Sequence, residues 1–136
     1  MKVLVACTGN SCRSQLAEGL LKDLKPEWEV HSGGTMAALK VASAVIEVLH
    51  EIGIDISENQ TTNLDEYDIE DFDHCIAFSN EAKDYLESKT GSLTYYKVDD
   101  PLFSGAETRK EELQVYRKTR DLILKDLKEF LKTKGK

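Results

Sequence analysis

Four apolar residues, Val3 to Ala6, read as a short buried strand, and soon after them the spacing of Leu16, Leu20 and Leu24 switches to a helical period. The stretch between, Cys7 to Ser14, is therefore a tight loop joining a strand to a helix. The same alternation runs to the end of the chain without linkers, repeats or low-complexity tracts. Trp28 to His31 reads as a second strand, Ala42, Val45, Ile46 and Leu49 as a helical stripe that Gly53 can terminate, and Phe72 to Phe78 as a third strand. Glu81 to Ser88 follows as a short helix, Leu93 to Val98 as a fourth strand, and Leu113, Tyr116, Ile123, Leu127 and Phe130 as the buried face of a long final helix. Such a chain is expected to form an α/β fold with a parallel sheet and right-handed crossovers, and to bind ligands at the carboxyl ends of its strands. Both Cys7 to Ser14 and Asp100 fall at those ends.

The loop reads Cys-Thr-Gly-Asn-Ser-Cys-Arg-Ser. Backbone N–H groups of such a loop converge, and the helix that follows adds partial positive charge, so an anion is welcome there. Cys7 would share that field, where a thiol can fall well below its ordinary value of about 8.5 and act as a thiolate. Arg13 supplies a cation whose planar fork matches two oxygens of a phosphate-like group. Ser14 can donate its hydroxyl to the sulfur, and Gly9 and Asn10 tolerate left-handed backbone angles. A nucleotide-binding loop of the G-x-x-x-x-G-K-[ST] kind is excluded, because no lysine follows Gly9 at the required spacing. Asp100 precedes Pro101, which forces its predecessor into extended geometry and projects the side chain from a loop. Facing a bound dianion, such a carboxyl suits a proton donor, with Asp99 as the fallback.

At 136 residues the chain, 1–136, is expected to be one domain. No apolar run approaches the roughly 20 residues of a membrane span, and an odd count of 3 cysteines points to a reducing compartment, so a cytoplasmic protein is expected. A net charge of −7 argues against a nucleic-acid partner. The late lysines Lys125, Lys128, Lys132, Lys134 and Lys136 read as a solvated helix end. Cys7, Cys12, Cys75, His31, His50 and His74 show no CxxC or HxxxH spacing, so neither a metal site nor a cofactor is expected.

The chain resembles the low-molecular-weight protein tyrosine phosphatase superfamily, which includes the thioredoxin-coupled arsenate reductases. The resemblance rests on Cys7 to Gly19 (CTGNSCRSQLAEG), His31 to Thr35 (HSGGT), Glu51 to Ser57 (EIGIDIS), Asp71 to Ser79 (DFDHCIAFS), Asp99 to Pro101 (DDP) and Tyr116 to Leu122 (YRKTRDL). It implies a four-stranded parallel sheet flanked by helices, with the phosphate-binding loop after the first strand. It further implies Cys7 as nucleophile, Arg13 as anion clamp and Asp100 as general acid, with Thr8, Gly9, Asn10, Ser11, Cys12 and Ser14 forming the substrate-binding loop. Protection of Cys7 by a disulfide to Cys12 is also implied.

Within that superfamily Gln15 to Gly19 (QLAEG) look like the reductase branch. Yet Ser79 stands where the resemblance places the second redox cysteine, and Leu86 lies near the place of the third. Cys75, inside an apolar strand, is expected to be buried as a small hydrophobe. The reductases' potassium site is matched at Asn10, Glu18 and Ser32, whereas Asn63 replaces an expected aspartate. Arsenate reduction would then need an external thiol, or Cys12, to resolve the modified Cys7. Hydrolysis of a phosphomonoester or phosphoamino acid needs neither, and is the expected activity; the partners are a phosphate-bearing substrate or phosphoprotein and inorganic oxyanions. Leu102 and Phe103 follow Asp-Pro, and Ser11 follows the loop asparagine, which selects no particular phosphoamino acid. A module that merely bound phosphate would not need Asp100.

Overall fold

The computed structural model describes residues 1–133, so Lys134 and Lys136 of the basic run lie outside the described residues. Strands β1 (Lys2–Cys7), β2 (Glu29–Gly34), β3 (His74–Ala77) and β4 (Leu93–Tyr95) pair in the order β2-β1-β3-β4, and every pairing is parallel. Helices α1 (Arg13–Leu24), α2 (Ser43–His50), α3 (Asn80–Glu87) and α4 (Arg109–Thr133) cover the two faces.

β1 explains the layering. Successive side chains of a strand point to opposite faces. Val3, Val5 and Cys7 join Leu16 and Leu20 of α1, Val45 and Val48 of α2, and Ile123 and Leu127 of α4 in one core. Leu4 and Ala6 join Leu64, Cys75, Ala82 and Leu86 in the other. A strand buried on both faces reads as a continuous apolar run, which is what Val3 to Ala6 are. Ile123 and Leu127 lie one helical turn apart on α4 and close the first core; α4 is fixed to the end of α2 where Arg120 donates to the Val48 carbonyl at 2.7 Å.

Element boundaries shift where backbone pairing or capping overrides side-chain pattern. β2 runs on past His31 to Gly34, because its ladder with β1 continues to the Cys7–Gly34 register through residues that carry little side chain. β3 starts at His74, after a 3-10 turn at Ile69–Asp71 that Phe72 caps. β4 stops at Tyr95, leaving 96–100 as the loop that carries Asp100. α3 begins at Asn80 because Ser79 caps it, its Oγ accepting from the Ala82 N–H at 3.2 Å. On α4, Leu113 is only partly buried, and Thr119 lies in the buried stripe with its hydroxyl donated to the Val115 carbonyl.

The parallel register brings the carboxyl ends of β1, β2 and β3 to one edge, and Gly34 makes the closest approach there. A Cβ on Gly34 would stand 2.5 Å from the Thr8 carbonyl oxygen and 2.8 Å from the Asn10 nitrogen, both backbone atoms that cannot swing away. Gly34→Ala is expected to lower stability by about 1–3 kcal/mol, the scale of overpacking, in a denaturant titration. An alanine variant as stable as the native chain would mean that the β1–α1 loop has room to retreat.

Candidate active site

The loop between β1 and α1 has its carbonyls and its amides sorted. The carbonyls of Cys7, Thr8, Gly9 and Ser11 accept from the backbone N–H groups of Thr35, Met36, Ala38 and Ala42, so the 35–42 segment straps the loop from outside. The Asn10 carbonyl accepts from Gln15 Nε2 at 3.1 Å, and that of Cys12 from the Leu16 N–H within α1. By contrast, among the described residues the N–H groups of Thr8 to Cys12 take no protein acceptor. α1 begins directly after them, and no side chain caps its first turn. A run of free amides followed by an uncapped helix N-terminus attracts an anion.

Asn10 sets the curl. Its φ of 51° is the left-handed conformation, and asparagine is among the residues that accept it most readily. Gly9, paired with Asn10 in the sequence-based expectation, does not share that conformation, and a Cβ there would meet nothing closer than 3.8 Å. The Asn10 side chain is fully buried and completely used. Its Oδ1 accepts from the Thr62 backbone N–H at 2.8 Å, which fixes the amide orientation because that partner can only donate. Nδ2 then donates to Ser32 Oγ at 2.9 Å and to Ser14 Oγ at 2.7 Å. With its oxygen already accepting from Asn10, Ser14 has its own proton free for Cys7 Sγ, 3.0 Å away.

Cys7 lies at the floor of the loop, 2% exposed, against the first core. Cys12 lies in the same core, with its sulfur 3.5 Å from the Tyr116 hydroxyl of α4. Burial pushes the Cys12 thiol up to about 11 despite that hydrogen bond, and burial likewise holds the Tyr116 phenol well above its ordinary range. All three cysteines are free. Cys75 is buried in β3 as expected, on the opposite face of the sheet from Cys7, its thiol also raised to about 11 by burial. Thr8 and Ser11 use their hydroxyls on the loop's surroundings, Thr8 donating to Glu81 at 3.2 Å and Ser11 to the Lys40 carbonyl at 3.2 Å.

Arg13 does more than the sequence implied. One terminal nitrogen donates to the carbonyls of Phe78 at 3.1 Å and Val98 at 2.8 Å, and the other faces Asp100 Oδ2 at 3.4 Å. Its Nε is buried with no partner. An orphaned buried donor costs about 1–3 kcal/mol, which an incoming oxyanion would recover. Asp100 is held from its own side as well, its Oδ1 accepting from the Leu102 N–H at 3.0 Å as the cap of the 3-10 turn Pro101–Phe103. Asp99 is exposed and makes no comparable contact with Arg13.

The cation site implied by the resemblance does not fit these residues. The Lys22 ammonium sits 2.8 Å from Glu18 Oε2, Ser32 donates to Glu18 Oε1, and Asn63 Oδ1 accepts from the Ala37 N–H. The donors a potassium ion would need are already engaged with protein partners.

Inorganic phosphate should stabilise the native chain, by about 2.7 kcal/mol at a concentration 100-fold above its dissociation constant, and Arg13→Lys should lose most of that gain. A thermal melt unmoved by phosphate would remove the anion site.

A model of the low molecular weight phosphotyrosine protein phosphatase family matches residues 2–136. The arsenate reductase of Bacillus subtilis is 37% identical over 131 residues, covering 93% of this chain and 92% of that protein. A low molecular weight protein tyrosine phosphatase from T. tengcongensis superposes with a TM-score of 0.82 at 30% identity, over 98% of this chain and 99% of the other. An arginine phosphatase from Geobacillus stearothermophilus gives 0.74 at 30% identity, over 97% and 93%. The strand order, the sorted loop and the length of these matches agree, and the chain belongs to the low molecular weight phosphotyrosine protein phosphatase family.

Proposed function

We propose that this protein is a cysteine-dependent phosphatase acting on a phosphomonoester or phosphoamino acid. One observation carries the reading: the Cys7 sulfur accepts a hydrogen bond from the Ser14 hydroxyl at the foot of an uncapped helix, while Arg13 with its free Nε touches Asp100. These are a nucleophile, an oxyanion holder and a proton donor in one edge of the sheet.

In the first step Cys7 attacks phosphorus, a sulfur–phosphorus bond forms and the ester oxygen–phosphorus bond breaks. The loop amides and Arg13 hold the equatorial oxygens, and Asp100 gives its proton to the departing oxygen. In the second, water attacks the cysteinyl-phosphate, Asp100 takes the water's proton, and the thiolate leaves, stabilised by Ser14. An arriving anion competes with Asp100 for Arg13, so binding frees the carboxyl from its ion pair. Met36, Leu39, Leu102 and Phe103 are exposed in the segments that strap the loop or follow Asp100, and would offer apolar contact to a substrate larger than a bare anion.

The names of the curated relatives favour a second reading, arsenate reduction. Arsenate would condense with Cys7 with loss of water. An external thiol would then attack the Cys7 sulfur, form a mixed disulfide and release arsenite, the arsenic gaining the two electrons the thiols give up. Ser79 is committed as the α3 cap, Leu86 is a core residue and Cys75 lies across the sheet, which leaves an external thiol or Cys12 to resolve the modified Cys7.

p-Nitrophenyl phosphate separates the readings. The native chain should hydrolyse it between mildly acidic and neutral pH, Cys7→Ser should abolish turnover while still binding phosphate, and Arg13→Ala should lose about a hundredfold or more. Asp100→Asn should slow esters with poor leaving groups most. No hydrolysis, together with arsenate-dependent consumption of glutathione, would transfer the assignment to the reductase; hydrolysis by Cys7→Ser would reject the covalent route.

A further inference from the structure

Glu18, buried on α1, ends a hydrogen-bond chain that begins at the Cys7 sulfur. Read outward, Cys7 receives from Ser14, Ser14 from Asn10, Asn10 also donates to Ser32, and Ser32 donates to Glu18 Oε1. A hydroxyl has one proton, and an ionised carboxylate can only accept. So long as Glu18 is charged, Ser32 spends its proton outward and presents lone pairs to Asn10. Were Ser32 free to turn its proton inward, two donors would face each other, and the amide that aims Ser14 at Cys7 would lose an anchor.

The cost of the arrangement is a buried negative charge four hydrogen bonds from a sulfur that must itself become negative, and like charges disfavour ionisation. Lys22 sits one turn along α1 with its ammonium on Glu18 Oε2, and Asn59 Nδ2 approaches the same oxygen at 3.4 Å. The cavity beside them is lined by the carboxylates of Glu18, Asp23 and Asp55, and Lys22 is the one cation among the lining residues. On the other side Cys7 faces Ser14, with Arg13 and Cys12 on the same loop and Asp100 reached through the Arg13 guanidinium.

We infer that the Glu18–Lys22 pair is a positioning device for Cys7: the carboxylate sets the polarity of the chain, and the ammonium, standing where an external cation would otherwise be required, cancels its field. The inference rests on Cys7 being the nucleophile, but not on which oxyanion it attacks.

The test is the pH profile of Cys7 alkylation by iodoacetamide, followed by peptide mass spectrometry so that Cys12 and Cys75 are counted separately. Lys22 is half exposed, so Lys22→Ala should fold, which a circular dichroism melt checks. In the native chain the profile should be the same in potassium, sodium or choline chloride at one ionic strength. Lys22→Ala should move it to higher pH, with alkylation at neutral pH slowed about threefold or more, the effect of a shift of about half a pH unit from one uncancelled charge, and potassium should restore part of the loss. The double variant Glu18→Gln with Lys22→Met, which removes both charges, should lie nearer the native profile than Lys22→Ala does. A Lys22→Ala profile superimposable on the native one, or a native profile that needs potassium, would overturn the inference. Failure of the nucleophile assignment is read independently, from Cys7→Ser turnover.

Discussion

The left-handed turn at Asn10 is the constraint on which the site depends. It reverses the chain so that the loop's carbonyls face the 35–42 strap and its amides face away, and the same residue's side chain ties that turn to Thr62, Ser32 and Ser14. A single buried amide thereby joins backbone shape to the orientation of the hydroxyl beside Cys7. Because it is sealed from water, each of its hydrogen bonds must be made within the protein, and a partly satisfied network would be worse than none.

Much of this was legible in the sequence because β1 and its loop are local. Four consecutive apolar residues announce a strand buried on both faces, and Leu16 and Leu20 announce the helix that packs against it. Cys7, Arg13 and Ser14 then had to lie near one another by chain connectivity, and their joint position followed. Asp100 was reachable through Pro101, whose ring dictates the geometry of its neighbour. These are properties of adjacent residues.

What stayed hidden arises between residues far apart in the chain. Nothing about Thr62 marks it as a partner of Asn10, and Ser32 is grouped with Asn10 only through the resemblance, since each supplies an ordinary donor or acceptor and only the fold brings them together. Gly34 is the last residue of β2, required because another backbone passes within contact distance. Strand ends moved for a related reason: backbone ladders persist through glycines and stop at caps, and neither obeys side-chain periodicity. The incomplete cation site implied by the resemblance is a related case, because a lysine four residues along a helix reaches the carboxylate that a ligand list would assign to an ion.

The carbonyls of Phe78 and Val98 lie just beyond the paired ends of β3 and β4, and both are held by the guanidinium of Arg13. That side chain is thus a cross-brace between the first helix and the far half of the sheet before it is anything else. A substitution there would loosen that brace as well as the anion recognition proposed for it, so the two consequences travel together at this position.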